Sequence, residues 1–117
     1  MAQTTGQRVM RRRAAGTPQR TSRARSKKHV HVFYSGRVQG VGFRVTAEEA
    51  ARQRAVVGWV KNLRDGRVEL VAEGDERALT QFLNDLCTGP MRNFIQHVDV
   101  RWTNTLQAFD EFEIRYF

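Results

Sequence analysis

The sequence predicts one α+β domain in which two helices cover one face of an antiparallel sheet. Three observations favour this fold class. The chain has 117 residues, of which 40% are hydrophobic, enough for one modest core but not for two. Runs of β-branched and aromatic residues alternate with two runs of good helix formers. Their order is strand, helix, strand, strand, helix, strand, which is the order of a split βαβ arrangement.

The first strand and the first helix are joined by a glycine-rich loop. The run HVHVFYS at 29–35 is β-branched and aromatic and predicts a strand that ends at Gly36. The run RVTAEEAARQRA at 44–55 is rich in Ala, Glu and Arg and predicts a helix. One narrow face of that helix carries Ala47, Ala50 and Ala51. The loop therefore leads from a strand end into a helix N-terminus.

A hairpin follows this helix. The runs VVGWVKNL at 56–63 and RVELVAE at 67–73 flank RDG at 64–66, and Asp-Gly supplies the positive φ that tight hairpin turns need. The second strand alternates cleanly. One of its faces carries Val68, Leu70 and Ala72, and the other carries Glu69 and Glu73. We expect the valine and leucine face to point into the core.

The second helix is predicted at 76–87, ERALTQFLNDLC, with an N-cap offered by Gly74-Asp75 and a stop at TGP, 88–90. Its apolar side chains follow one helical stripe and are Ala78, Leu79, Phe82, Leu83 and Leu86. Extended segments follow at 95–102 and 111–117. The order β-α-β-β-α-β, with room for a short fifth strand, is that of a ferredoxin-like sandwich.

Basic charge is concentrated in residues 1–28. They hold nine of the 20 Lys and Arg residues and no acid, whereas residues 29–117 hold the other 11 and all 12 acids, a formal charge of −1. Residues 1–28 have almost no large apolar side chains, so we expect a disordered extension, with the folded domain at 29–117. Such a tail could add weak, salt-dependent polyanion binding. Met10 offers a second start for a shorter chain.

Composition also predicts where the protein works. No stretch approaches the roughly 18 apolar residues of a membrane span, and the N-terminus lacks the apolar region of a signal peptide. Cys87 is the only cysteine, so no intrachain disulfide can form and a reducing, cytoplasmic location fits. We expect Cys87 to be a small buried side chain of the second helix. The modest charge of the folded part gives no reason to expect more than a monomer.

The loop SGRVQGVGFR at 35–44 indicates anion binding. Gly36, Gly40 and Gly42 would let successive backbone amides turn toward one point at a helix N-terminus, and Arg44 could grip two oxygens of a phosphate or carboxylate. The standard nucleotide-binding patterns do not fit, since no G-x-x-x-x-G-K-[ST] occurs and position 45 is valine. Spacing alone leaves open a glycine-rich turn whose arginines are merely solvated.

Asn62, in GWVKNLRDG, is the polar residue most suited to complete such a site. In an alternating strand it shares a face with Gly58 and Val60, and its amide can hold a water and an anion together. No Ser-His-acid set is suggested, and His29, His31, His97 and Cys87 lack the spacing of a metal site. If the protein is an enzyme, its chemistry must be one for which positioning and charge stabilisation suffice, and phosphoryl transfer is the leading example.

Two long motifs resemble those of the acylphosphatases. GRVQGVGFR at 36–44 is similar to their phosphate-loop motif and GWVKNLRDGRVE at 58–69 to their second motif. AEGD at 72–75, GP at 89–90 and FEIRY at 112–116 also resemble the family, so the likeness covers nearly all of 29–117. It implies hydrolysis of the carboxyl–phosphate bond of a small acyl phosphate, without a metal or a cofactor.

The resemblance also implies roles for individual residues. Arg44 would bind the phosphate together with the backbone amides of loop 37–43, and Asn62 would orient the attacking water. The substrate itself would assist deprotonation of that water, so no strong protein base is needed. The Arg37 side chain is expected to act only as a general cation near the pocket. The loop positions implied in substrate binding are Arg37, Val38, Gln39, Gly40, Val41, Gly42 and Phe43.

A nucleic-acid-binding module is the alternative function. Ferredoxin-like sheets also bind RNA, and the tail is strongly basic. Against this alternative, RVELVAE stands where an RNA-binding strand would carry its aromatic motif, and the folded part is formally −1.

Overall fold

The computed structural model describes residues 26–116, and the α+β architecture predicted from the sequence is confirmed. Two helices pack on one face of a five-stranded sheet, and a short 3₁₀ turn precedes the fourth strand. The elements are β1 (Lys27–Gly36), α1 (Phe43–Arg54), β2 (Val57–Asn62), β3 (Val68–Asp75), α2 (Glu76–Thr88), the 3₁₀ turn (Arg92–Phe94), β4 (Ile95–Thr103) and β5 (Phe112–Arg115).

The strands are ordered β4-β1-β3-β2-β5 across the sheet. β1 pairs antiparallel with β3 and β4, and β2 pairs antiparallel with β3, as expected for the ferredoxin-like order. The short fifth strand is present, and it pairs parallel with β2, so the sheet is mixed rather than wholly antiparallel. The chain from 104 to 111 reaches β5 from β4, which lies at the opposite edge.

The core lies between the sheet and the two helices. The predicted inner face of β3 is confirmed, since Val68, Leu70 and Ala72 are fully buried. β1 contributes alternate buried residues to the same core, and α2 contributes the apolar stripe expected from its spacing. These residues are Val30, Val32 and Tyr34 from β1, and Leu79, Phe82 and Leu86 from α2. Together they hold the ends of β1 and β2 in fixed positions beside the N-terminus of α1.

Glu73 lies on the opposite face of the sheet, and it is nevertheless buried. Its carboxylate lies 2.7 Å from Nδ1 of His29 and accepts the amides of Gln107 at 2.6 Å and Ala108 at 3.0 Å. Burial alone would raise the pKa of Glu73, but these hydrogen bonds outweigh it and hold the pKa below its usual value. Glu73 therefore anchors the link between β4 and β5 to the middle of the sheet.

The start of β1 and the exposure of Cys87 both differ from the sequence predictions. β1 begins at Lys27 rather than at residue 29, because Lys27 and Lys28 pair with Asp75 and Gly74. The predicted disordered tail therefore loses these two residues, and its residues 1–25 lie outside the described residues. Cys87 is exposed in the last turn of α2, because it falls one residue beyond the buried stripe that Leu86 ends.

The predicted hairpin turn forms, whereas the predicted N-cap of α2 makes no side-chain hydrogen bond. Asp75 occupies the N-cap position of α2 but makes no side-chain capping bond; the amide of Glu76 donates to the Ser26 carbonyl instead. The Asp65-Gly66 turn forms as expected, with a positive φ of 97° at Gly66. Among residues 26–116 neither helix has the length and hydropathy needed to cross a membrane.

Candidate active site

The glycine-rich loop joins β1 to α1 in a left-handed path. Gly40 and Gly42 have φ values of 76° and 86°, which side chains with a Cβ rarely adopt. Space is not the constraint, since a Cβ at either position would meet nothing within 4 Å. Val38 is fully buried and Phe43 is 2% exposed, so apolar anchors fix both sides of the loop. The sequence thus sets the backbone path with glycines and its position with buried side chains.

Backbone amides of this loop are free to bind an anion. Among residues 26–116, no protein acceptor receives the amides of 38–42. α1 begins at Phe43 with no acidic residue in its first turn, so the positive end of the helix is not neutralised locally. The amide of Arg37 is different, because it donates to the Phe94 carbonyl at 2.9 Å. The expected set of donors from 37–43 therefore loses its first member.

One pocket brings the two proposed catalytic residues together. It has a volume of about 90 Å³ and opens between the loop, the first turn of α1 and the end of β2. Arg44 is the second residue of α1 and Asn62 is the last residue of β2, so each stands at the end of an element. The lining residues are Val38, Gly40, Gly42, Phe43, Arg44, Val45 and Asn62.

Tyr116 lies beside Arg44 and was not singled out from the sequence. The Arg44 guanidinium carbon lies 5.0 Å from the centre of the Tyr116 ring, a cation–π distance. The parallel register of β2 and β5 pairs Lys61 with Arg115, so the next residues along, Asn62 and Tyr116, leave the sheet side by side. Only the pairing of β5 with β2 reveals this neighbour, and the sequence predicted no partner for β5.

Gln39 ties the loop to the turn that follows Asn62. Its side-chain amide donates to the Leu63 carbonyl at 2.7 Å and to the Arg67 carbonyl at 2.9 Å. The turn is itself closed by the Leu63 amide, which donates to the Arg67 carbonyl at 2.8 Å. The Arg67 amide and guanidinium both bind Asp65 and lower the pKa of its carboxyl. Gln39 therefore fixes the distance between the glycine-rich loop and the end of β2.

Three residues expected to bind substrate do not line the pocket. The Arg37 side chain is exposed at the surface, consistent with its expected role as a general cation. Gln39 points to the β2–β3 turn, as described, and Val41 packs against the core. Val45 lines the pocket although the sequence analysis did not select it. Within the described residues no group of three or more His, Cys, Asp and Glu side chains could hold a metal ion.

Comparison with known proteins bears on the identity of this site. The acylphosphatase family model matches residues 30–114. This chain belongs to the acylphosphatase family. The match includes both motifs of the pocket and all five strands, apart from the first three residues of β1 and the last residue of β5.

Acylphosphatases from several organisms are similar to this chain in sequence and structure. The one from Roseiflexus sp. (strain RS-1) is 51% identical over 72 residues, covering 62% of this chain and 77% of that protein. The one from Haloquadratum walsbyi is 43% identical over 90 residues, covering 77% and 96%. The crystal structure of the acylphosphatase from Bacillus subtilis matches with a TM-score of 0.72 at 38% identity, covering 76% and 99%. The prediction of an acylphosphatase enzyme is thereby confirmed.

Proposed function

We propose that this acylphosphatase hydrolyses small acyl phosphates in the pocket between the phosphate loop and β2. The observation that carries the proposal is that a single pocket of about 90 Å³ is lined by the loop glycines, Arg44 and Asn62. In this proposal the free amides of the loop and the Arg44 guanidinium bind the phosphate oxygens. Asn62 holds the attacking water, using both the donor and the acceptor of its amide.

The proposed reaction is a direct transfer of the phosphoryl group to water. The oxygen of the water forms a bond to phosphorus, and the bond between phosphorus and the carboxyl oxygen breaks. The products are a carboxylate and inorganic phosphate, and the water proton passes to an oxygen of the substrate. A loose transition state of this kind asks the protein for donors around the equatorial oxygens rather than for a strong base. The free amides, the helix N-terminus and Arg44 are suited to supply them.

The size of the pocket supports binding of the phosphoryl group inside it and of the acyl group outside it. Its volume of about 90 Å³ is far below the roughly 300–1,000 Å³ of most ligand pockets. It suits a phosphoryl group, so the acyl group would extend outward. Val45, which follows Arg44 in α1, is 61% exposed, and Tyr116, whose ring lies beside the Arg44 guanidinium, is 70% exposed. We expect the acyl group to leave the pocket past these two apolar surfaces.

The remaining expectations about partners and location stay predictions. A monomer would suffice for this chemistry, because every lining residue belongs to one chain. The tail joins the domain at the opposite end of β1 from the glycine-rich loop, since Lys27 and Gly36 are nine steps, or about 30 Å, apart, and weak polyanion binding by it stays a prediction. A cytoplasmic location fits a chain whose only cysteine is exposed and cannot form an intrachain disulfide.

The test is hydrolysis of a small acyl phosphate in the presence of a chelator. We expect Arg44→Ala to lower kcat/KM by a factor on the order of 10³ or more, and Asn62→Ala by about 10² to 10³. Arg64→Ala is the matched control, since it removes an exposed arginine from the neighbouring turn without touching the pocket. Activity that disappears with the chelator, or that survives in both pocket variants, would refute the proposal.

Removal of residues 1–25 separates this function from the nucleic-acid-binding alternative. The truncation must spare Lys27 and Lys28, which are paired within the sheet. We expect the shortened chain to keep its hydrolytic activity and to lose any salt-dependent affinity for RNA. Loss of hydrolysis on truncation would contradict the assignment of the active site to the folded domain.

A further inference from the structure

β4 forms a long outer edge of the sheet. It has nine residues and pairs only with β1 among the described residues, so its outward backbone groups have no strand beside them. The other edge, β5, has only four residues. A long edge strand presents a row of unpaired amides and carbonyls that can accept another strand. The question is what the side chains of β4 would select.

The helix-facing side of β4 is apolar and poorly covered. Its register with β1 places Val98, Val100 and Trp102 on the same face as the core residues of β1. The helices do not extend over this edge, because α2 packs against β1 and β3. Val100 remains 37% exposed and Trp102 remains 43% exposed. Exposed large hydrophobic residues at adjacent same-face positions of an unpaired strand indicate a contact surface.

The opposite side of β4 carries charges of opposite sign at alternate positions. The Asp99 and Arg101 side chains are 44% and 70% exposed. Within the strand, the Arg101 guanidinium donates to the Asp99 carboxylate at 3.3 Å. Charges on an edge strand usually discourage pairing. Here a second copy running antiparallel could place Asp99 of each copy opposite Arg101 of the other. The charges then favour this register over registers that set like charges opposite each other.

We propose that two copies of this chain pair antiparallel through β4, about a two-fold axis at Val100. Val100 then faces the partner's Val100, Val98 faces the partner's Trp102, and Asp99 faces the partner's Arg101. Three apolar pairs and two ion pairs therefore form together, because the Val98–Trp102 and Asp99–Arg101 pairs each occur twice by symmetry, and the two sheets become one ten-stranded sheet. Moving the axis to Asp99 would set two carboxylates opposite each other, and moving it to Arg101 would set two guanidinium groups opposite each other.

This pairing is expected to be weak and independent of catalysis. An interface made by one strand from each copy is smaller than the roughly 1,200 Å² that stable complexes bury, so the dimer should form only at high protein concentration. The monomer expected from the domain's charge would then be the form at low concentration. Because β4 and β2 lie in different halves of the sheet, the pocket beside Asn62 stays open in the dimer.

Sedimentation equilibrium of the 117-residue chain tests the proposal, with variants that exchange the charges at positions 99 and 101. Wild type should show a monomer–dimer equilibrium in the micromolar to millimolar range. Asp99→Arg and Arg101→Asp should each weaken it by about tenfold or more, because each sets like charges opposite each other at two symmetric positions. The double variant restores opposite charges and should return to within about threefold of wild type. A wild type that stays monomeric throughout, or a double variant no better than the single ones, would overturn the proposal.

Disulfide capture tests the position of the axis. In a Cys87→Ser background, Val100→Cys should form a covalent dimer on mild oxidation, because residues directly opposite in antiparallel strands have Cβ atoms about 4.5–5.5 Å apart. Arg52→Cys in the same background, exposed on α1, is the control and should stay monomeric. Equal or slower capture at Val100 than at Arg52 would overturn the proposed axis. All variants should retain hydrolysis, which separates this test from that of the proposed function.

Discussion

Replacing Gln39 with methionine would remove the two hydrogen bonds that join the glycine-rich loop to the β2–β3 turn. Methionine keeps the length of the side chain and loses only its polar end. Both carbonyls would keep another partner, since Leu63 accepts the Gly66 amide at 3.2 Å and Arg67 accepts the Leu63 amide. No acceptor is left unsatisfied, so the loss should be about 1 kcal/mol per bond, or about 2 kcal/mol in the free energy of unfolding.

The loss should appear in stability and in catalysis together. For a domain of roughly 100 residues, 2 kcal/mol corresponds to a fall of about 8–16 °C in Tm, measured by circular dichroism. Loosening the loop relative to Asn62 should lower kcat/KM by about ten- to a hundredfold at a temperature where the variant is fully folded. Inorganic phosphate should also inhibit the variant less strongly than wild type.

The control is Gln81→Met, which removes an amide that accepts a bond from Arg54 on the exposed side of α2. It should leave the kinetics unchanged. If Gln39→Met has the Tm, kcat/KM and phosphate inhibition of wild type, the reasoning about the loop is refuted. A lower Tm with unchanged kinetics would show that Gln39 stabilises the turn but does not position the site.

Two further predictions concern the scaffold. Glu73→Gln should destabilise the domain by about 1–3 kcal/mol, because a charged acceptor of the Gln107 and Ala108 amides is lost. Since the pKa of Glu73 is lowered in the folded state, its contribution is present above the ordinary carboxyl pKa and is lost as the pH falls through the folded value. Wild type should therefore lose more stability than the variant as the pH falls below the ordinary carboxyl range of about 4 to 5, and parallel urea midpoints would contradict this. Gly58→Ala should cost about 3 kcal/mol or more in urea unfolding, because φ is 142° and the new Cβ would lie 2.0 Å from the Val71 carbonyl; a loss below 1 kcal/mol would contradict it.

Local patterns predicted most of the fold. The alternation in β3 identified its inner face, and the stripe of α2 identified its buried side. The burial of Glu73 could not be predicted in this way, because its hydrogen bonds come from the β4–β5 link, 34 and 35 residues away in sequence. Cys87 is exposed because it follows Leu86, the last buried residue of α2, and the next residue of a helix points about 100° away. The apolar composition of this run did not show on which side of the helix Cys87 lies.

The residues that line the candidate pocket were predictable where they follow from local sequence patterns. Glycines before a helix, followed by Arg44, indicated an anion site, and strand alternation put Asn62 on the same face as Gly58 and Val60. The contacts that complete the site are long-range. Tyr116 reaches Arg44 through the parallel pairing of β5, and the Arg37 amide is occupied by Phe94 from beyond α2. Neither contact has a signal in the sequence around the loop.

Separate measurements of phosphate binding and turnover in the Asn62→Ala variant test the central claim most directly. The claim is that Arg44 and the loop amides bind the phosphate whereas Asn62 orients the water. Calorimetric titration with inorganic phosphate should therefore give wild-type affinity, within about threefold, while kcat falls by about 10² to 10³. Arg44→Ala, measured beside it, should lose phosphate binding as well. An Asn62→Ala variant that keeps its turnover, or that loses phosphate affinity to the same extent as Arg44→Ala, would contradict the account.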